Sequence, residues 1–88
     1  MKITVEQFYI DAGVKGDCAR CPIALAILGQ AALPVSVWPD FGLGVDQPYF
    51  NSRLNGTRYP LPPEANEFAV KFDAGEKVSP FSFEIDLT

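Results

Sequence analysis

Cys18 and Cys21 are the two cysteines of this chain, and Pro22 follows them directly. A C-x-x-C pair at the start of a helix is compatible with a redox couple, half of a metal site or a local structural staple. Pro22 favours the first turn of a helix, because its missing N–H is not needed there. Cys21 is then expected at the N-cap of that helix, with Cys18 in the preceding loop.

The local electrostatics of the C-x-x-C pair favour a redox role, whereas its position relative to the predicted helices disfavours one. Unpaired N–H groups at a helix N-terminus lower the pKa of a cysteine, and Lys15 and Arg20 add favourable charge. Thioredoxin-type sites, however, place the first cysteine at the helix start and follow a β-strand. Here Cys18 falls in a loop, and a short helix is predicted upstream.

A metal role needs more ligands than one chain supplies. A closed structural zinc site takes four, whereas this chain has two cysteines and no histidine. Two copies could complete a zinc site with Cys18 and Cys21 from each, and Asp17 could contribute; no other cofactor is indicated. The remaining interpretation is that both cysteines pack as small apolar side chains, or form a staple, beside a buried helix.

A second group of candidate residues surrounds Asn55-Gly56, the preferred pair for a type I′ hairpin turn. That turn would place Arg53 opposite Arg58 and Ser52 opposite Tyr59. Because like charges facing each other destabilise a ribbon, a bound phosphate or carboxylate would explain the two arginines.

Aromatic residues flank this hairpin, and Tyr49, Phe50 and Tyr59 could stack on a base or ring. The plain alternative is a solvated hairpin tip whose arginines extend into water. Farther along, Glu84 and Asp86 are predicted on one strand face, where they could meet a basic partner or simply face solvent.

Composition limits the classes of partner. The chain has 88 residues, with 11 acidic and 7 basic ones and a net charge of −4. This balance argues against a general nucleic-acid binder and against a membrane-surface protein. No segment approaches the ~20 apolar residues of a membrane span, and no secretory signal is evident, so a cytoplasmic location is expected. A core this small would gain from a homodimer.

The hydrophobic pattern predicts a single α+β domain, residues 1–88, in which three helices pack on an antiparallel sheet. A Thr4-to-Gln7 capping box starts a helix over 5–12, whose apolar stripe is Val5, Phe8, Tyr9 and Ala12. The other expected elements are a buried helix over 23–30, strands over 35–38 and 41–45, the arginine hairpin, a helix over 63–72 and a strand over 81–87. The core is expected to join Phe81, Phe83, Ile85 and Leu87 to Ile23, Leu25, Ile27, Phe68 and Phe72.

Three segments resemble small uncharacterised proteins encoded by phages and prophages. They are residues 17–26 (DCARCPIALA), 61–64 (LPPE) and 72–84 (FDAGEKVSPFSFE). The resemblance implies a cytosolic accessory protein made during infection, and such proteins often bind a host defence component, either a protein or a nucleotide signal. It carries no assigned chemistry.

Catalysis is difficult to build from this sequence, because the chain lacks histidine and its serines lie in no nucleophile motif. The sequence therefore favours a non-enzymatic, phage-type protein that binds a host protein or an anionic small molecule such as a nucleotide. Arg53, Arg58, Tyr49 and Tyr59 are the expected contact residues. A metal-binding or thiol redox module and a structural or assembly protein are the alternatives.

Overall fold

The chain forms an α+β fold in which helices pack against antiparallel strands, as its pattern predicts. The computed structural model describes residues 1–39 and 48–86. Within them the elements are β1 (Lys2–Val5), α1 (Gln7–Ala12), α2 (Pro22–Ala31), β2 (Val35–Trp38), β3 (Tyr49–Ser52), β4 (Arg58–Pro60), α3 (Pro63–Asp73) and β5 (Phe81–Glu84). The strands form two sheets, one of β1 and β5 and one ordered β2-β3-β4.

Prolines set the starts of the two longer helices. Pro22 is the first residue of α2 and Pro63 the first residue of α3, positions where the missing N–H costs no intrahelical bond. Gly75, with φ +81°, takes up the left-handed conformation just beyond α3. Both helices are confirmed close to their predicted bounds.

The predicted capping box at Thr4 and Gln7 is wrong. Residues 2–5 form β1, α1 begins only at Gln7, and its N-cap Glu6 makes no side-chain cap bond. The physical reason is burial: Ile3 and Val5 point from alternate positions of β1 into the core and are 0% exposed. Burying two branched apolar side chains is worth about 3–6 kcal/mol, more than the ~1 kcal/mol of a helix cap.

The predicted apolar stripe of the first helix is confirmed only in part, because Val5 is buried but belongs to β1. None of the six residues of α1 is buried, and Phe8 and Ala12 are exposed. Tyr9, which the prediction included, and Ile10, which it did not, are half-buried and pack against the core. The helix thus lies on the surface of the domain.

Gln30, on α2, covers the outer edge of β1. Its Nε2 donates to the Thr4 carbonyl at 2.6 Å, and the Thr4 N–H donates to its Oε1 at 2.9 Å. The other edge of β1 pairs with β5, where Ile3 lies opposite Phe83. The Gln30 amide therefore takes the place of a neighbouring strand and fixes α2 against the small sheet.

Replacing Gln30 with Ala should lower the free energy of unfolding by about 1–2 kcal/mol, because two partly buried backbone groups lose their partner. Urea denaturation measures this. Gln7→Ala is the matched control, since the Gln7 side chain donates to Asp11 Oδ1 on the exposed surface, and its effect should stay below about 0.5 kcal/mol. Equal effects for the two variants would contradict the role of Gln30.

The core confirms most of the expected packing. Its buried members include Ile23, Ile27, Phe68, Phe72, Phe83 and Ile85. Phe81 is half-buried, and its ring stacks on that of Phe68 with centroids 4.6 Å apart. The prediction that Leu25 belongs to the core is wrong, because this residue is only half-buried. Leu87 and the expected strand over 41–45 lie outside the described residues.

Candidate binding face and cysteine pair

The β3–β4 hairpin forms, but its register differs from the predicted one. Asn51 lies opposite Arg58 and Phe50 opposite Tyr59, so the expected pairing of Arg53 with Arg58 is wrong. Arg53 lies beyond the end of β3, where its N–H donates to the Pro34 carbonyl at 2.8 Å. The two arginines therefore do not face each other across the ribbon.

Ser52 accounts for the change of register. It is 1% exposed, and its hydroxyl accepts a hydrogen bond from the Leu54 N–H at 3.1 Å. Its own N–H donates to the Thr57 carbonyl at 2.9 Å, which closes a five-residue loop over 53–57. Of the two turn residues only Gly56 has positive φ (+77°), so the loop is not a type I′ turn.

One side of the three-stranded sheet faces the core and the other faces solvent. Val35, Val37, Phe50 and Ser52 are buried on the core side. Alternation along the strands places the neighbouring residues on the opposite side. We call this opposite side the outer face, and it consists of Ser36, Trp38, Tyr49, Asn51, Arg58 and Pro60.

The outer face carries a connected row of aromatic and cationic side chains. The Arg58 guanidinium carbon lies 4.4 Å from the centroid of the Tyr49 ring, within the range of a cation–π contact. The Trp38 and Tyr49 ring centroids are 6.4 Å apart. Trp38 Nε1–H donates to Asn51 Oδ1 at 2.8 Å, which fixes the orientation of an indole that is 45% exposed.

The structure separates the four residues expected at the contact region. Tyr49 and Arg58 lie together on the outer face. Tyr59 is half-buried and stacks on Phe50 with ring centroids 5.1 Å apart, so it belongs to the core side of the sheet. Arg53 is exposed in the loop.

Trp38 and Asn51 are functional candidates that the sequence analysis missed. Trp38 was placed correctly on a strand, but its contact with β3 depends on pairing across residues 39–48. The available signal was that Trp38 follows two alternating valines and so had to lie on the polar side of β2. Asn51 gave no comparable signal, because its role comes from the position of the Trp38 indole.

Cys21 is the N-cap of α2, as predicted, and it is a buried thiol. Its Sγ accepts a hydrogen bond from the Ala24 N–H at 3.4 Å, and the residue is 6% exposed. Burial raises its pKa from 9.0 to about 11, outweighing the lowering by backbone hydrogen bonds from Ala24 and Ile23. Neither cysteine forms a disulfide. The thiol of Cys21 is therefore protonated near neutral pH, which does not favour thiolate chemistry.

This pKa predicts a specific loss of stability at alkaline pH. Below pH 9 the Cys21 thiol is protonated in both the folded and the unfolded chain. Above it the unfolded chain ionises first, so the free energy of unfolding should fall by up to about 2–3 kcal/mol as the pH rises to 11. Denaturation curves of the wild type and Cys21→Ala across this range measure the contribution, and parallel curves would contradict it.

Cys18 is half-buried and belongs to the loop that borders β2. Its carbonyl accepts a hydrogen bond from the Val37 N–H at 2.9 Å. Cys18, Cys21, Trp38 and Asp73 contribute to the lining of a cavity of about 180 Å³. Among residues 1–39 and 48–86, no group of three or more cysteine, aspartate and glutamate side chains could hold a metal ion. Zinc shared by Cys18 and Cys21 of two copies stays a prediction.

The acidic residues of β5 and its continuation face away from the core. Glu84 and Asp86 are exposed, whereas Phe83 and Ile85 between and beside them are buried. The Glu84 carboxylate lies 3.5 Å from the amino group of Met1. The alternation predicted for this segment is confirmed, and a basic partner for it stays a prediction.

No helix in the described part of the chain has the length and apolar character needed to cross a bilayer. Comparison of the chain with models of known protein families, with curated proteins and with solved structures finds no match. The role of the outer face must therefore be inferred from its own residues.

Proposed function

We propose that this protein is a non-catalytic binding protein and that the outer face of its three-stranded sheet contacts the partner. The observation that carries this proposal is the row Trp38, Tyr49 and Arg58, whose side chains contact each other or lie side by side on the solvent side. Tryptophan, tyrosine and arginine are the residue types that most often dominate binding energy at interfaces.

A binding role fits the chemistry of the chain better than catalysis does. No histidine is present to act as a general base near neutral pH. Cys21 is buried and protonated, and it serves as a helix cap. The exposed aromatic and cationic side chains, in contrast, are suited to recognition without any chemical step.

The partner we propose is a component of a host cell, bound in the cytoplasm. This part of the proposal rests on the resemblance of residues 17–26, 61–64 and 72–84 to small phage and prophage proteins. A protein that blocks a host defence component by binding it needs a stable contact surface and no active site. The outer face is a surface of this kind.

Capture from a bacterial lysate tests the proposal. Tagged wild-type protein and two variants, Trp38→Ala and Leu54→Ala, are incubated with lysate, and the bound proteins and small molecules are identified by mass spectrometry. Leu54 is the control because it is 72% exposed but lies in the 53–57 loop, off the outer face.

We expect the wild type and Leu54→Ala to retain the same partner and Trp38→Ala to retain at least tenfold less of it. Circular dichroism verifies that all three proteins are folded. Equal capture by all three, or no capture by the wild type above untreated beads, would overturn the proposal.

A further inference from the structure

The shape of the outer face favours a macromolecular partner. Trp38 contributes to the lining of the cavity of about 180 Å³ beside Cys18, whereas Tyr49, Asn51 and Arg58 line neither that cavity nor those of about 350, 270 and 260 Å³ that other described residues form. Small molecules usually bind in concave sites that bury most of their surface. A sheet surface with projecting side chains is better matched by another extended surface.

The charge distribution separates proteins from nucleic acids as partners. Residues 48–60 contain two charged side chains, Arg53 and Arg58, whereas the rest of the chain has five basic and eleven acidic residues. Two of those acids, Asp40 and Asp46, lie outside the described residues. A nucleic-acid backbone that bound here would contact few cationic side chains, and the excess of acidic residues in the rest of the chain would repel its phosphates. A protein patch with a few carboxylates could bind here, because it does not require an extended row of basic residues.

The aromatic side chains are already held in place for binding. The hydrogen bond to Asn51 fixes Trp38 at one end of the row, and Arg58 lies over Tyr49 at the other. Side chains ordered before association lose less entropy when a partner binds. Trp38, Tyr49 and Arg58 are therefore expected to bind the partner in the arrangement that they already have in the free protein.

The edge of the sheet makes recognition through side chains more suitable than strand addition. β2 and β4 are the two edge strands of this sheet. β4 includes Pro60, which has no N–H to donate, and on β2 the Val37 N–H already donates to the Cys18 carbonyl at 2.9 Å. A partner strand could therefore not form a continuous ladder along either edge.

We infer that the outer face binds an acidic patch on a partner protein, with the partner's carboxylates at Arg58 and its apolar groups on Trp38 and Tyr49. The guanidinium of Arg58 can bind a carboxylate through two N–H groups while its plane remains over Tyr49. This inference rests on the proposed binding function and specifies the chemistry of the partner.

Site-specific photo-crosslinking tests the inference. The photoreactive amino acid benzoylphenylalanine replaces Ser36 on the outer face, the exposed Thr57 next to Arg58, or Lys77 as a distant exposed control. The full chain is expressed in bacteria, irradiated and purified, and mass spectrometry identifies the crosslinked molecule and its crosslinked segment. Thr57 provides a second position if the half-buried Ser36 site does not tolerate the larger side chain.

We expect Ser36 or Thr57 to crosslink one protein at least fivefold more than Lys77, through a segment in which Asp and Glu outnumber Lys and Arg. Combining the crosslinker with Arg58→Glu should reduce the yield at least tenfold. A crosslinked nucleic acid, or a protein segment without an acidic excess, would overturn the inference but leave a binding function intact. No crosslink above the Lys77 control from either position would overturn both.

Discussion

Replacing Phe50 with Ala is expected to lower the free energy of unfolding by about 3–5 kcal/mol. Phe50 is 0% exposed, stacks on Tyr59 and lies in the central strand of the three-stranded sheet. Domains of this size have a total stability of only about 4–13 kcal/mol. The loss should therefore remove between about a quarter and all of that stability, which chemical denaturation followed by circular dichroism would measure.

Phe8→Ala is the matched control for Phe50. Phe8 is 56% exposed and contacts Tyr9 with ring centroids 4.1 Å apart, so its truncation should cost less than about 1 kcal/mol. If both variants lost the same stability, the placement of Phe50 at the centre of the core would be contradicted.

Reversing the charge of Arg58 with Arg58→Glu is expected to weaken partner binding about hundredfold, equivalent to about 2.7 kcal/mol. The substitution removes the cation–π contact with Tyr49 and places a carboxylate against an acidic partner surface. Biolayer interferometry with the partner captured from lysate measures the change in affinity.

Lys77→Glu changes the net charge of the protein by the same amount at a position away from the outer face. Its effect on affinity should be less than threefold at physiological salt, because exposed charges beyond about 8 Å are largely screened. Equal losses for the two variants would show that net charge, and not the position of Arg58, determines binding.

The sequence predicts α2 and α3 because their signals are local. Pro22 and Pro63 start the helices, and the spacing of Ala65, Phe68, Ala69 and Phe72 describes one buried helical face. The N-terminus is mispredicted because its determinant is distant. Ile3 pairs with Phe83 at the far end of the chain, and a capping-box pattern cannot reveal that partner.

The candidate site was predictable in composition but not in arrangement. The sequence identified Tyr49 and Arg58, and the two-residue change of register keeps both on one face because side chains alternate with a period of two. It could not anticipate that Ser52 would close a wider loop and leave Arg53 unpaired with Arg58 across the ribbon. Trp38 lies next to Tyr49 only because β2 pairs with β3, and the sequence did not predict that pairing.

The central claim is that the outer face contacts the partner. Nuclear magnetic resonance of the isotope-labelled protein tests this claim most directly. Trp38 is the one tryptophan of the chain, so its indole N–H gives a single assignable signal. Titration with the captured partner should shift or broaden this signal and the amides of Tyr49, Asn51 and Arg58, while those of β1 stay unchanged. Binding that perturbs β1 and leaves the Trp38 indole and Arg58 unaffected would contradict the claim.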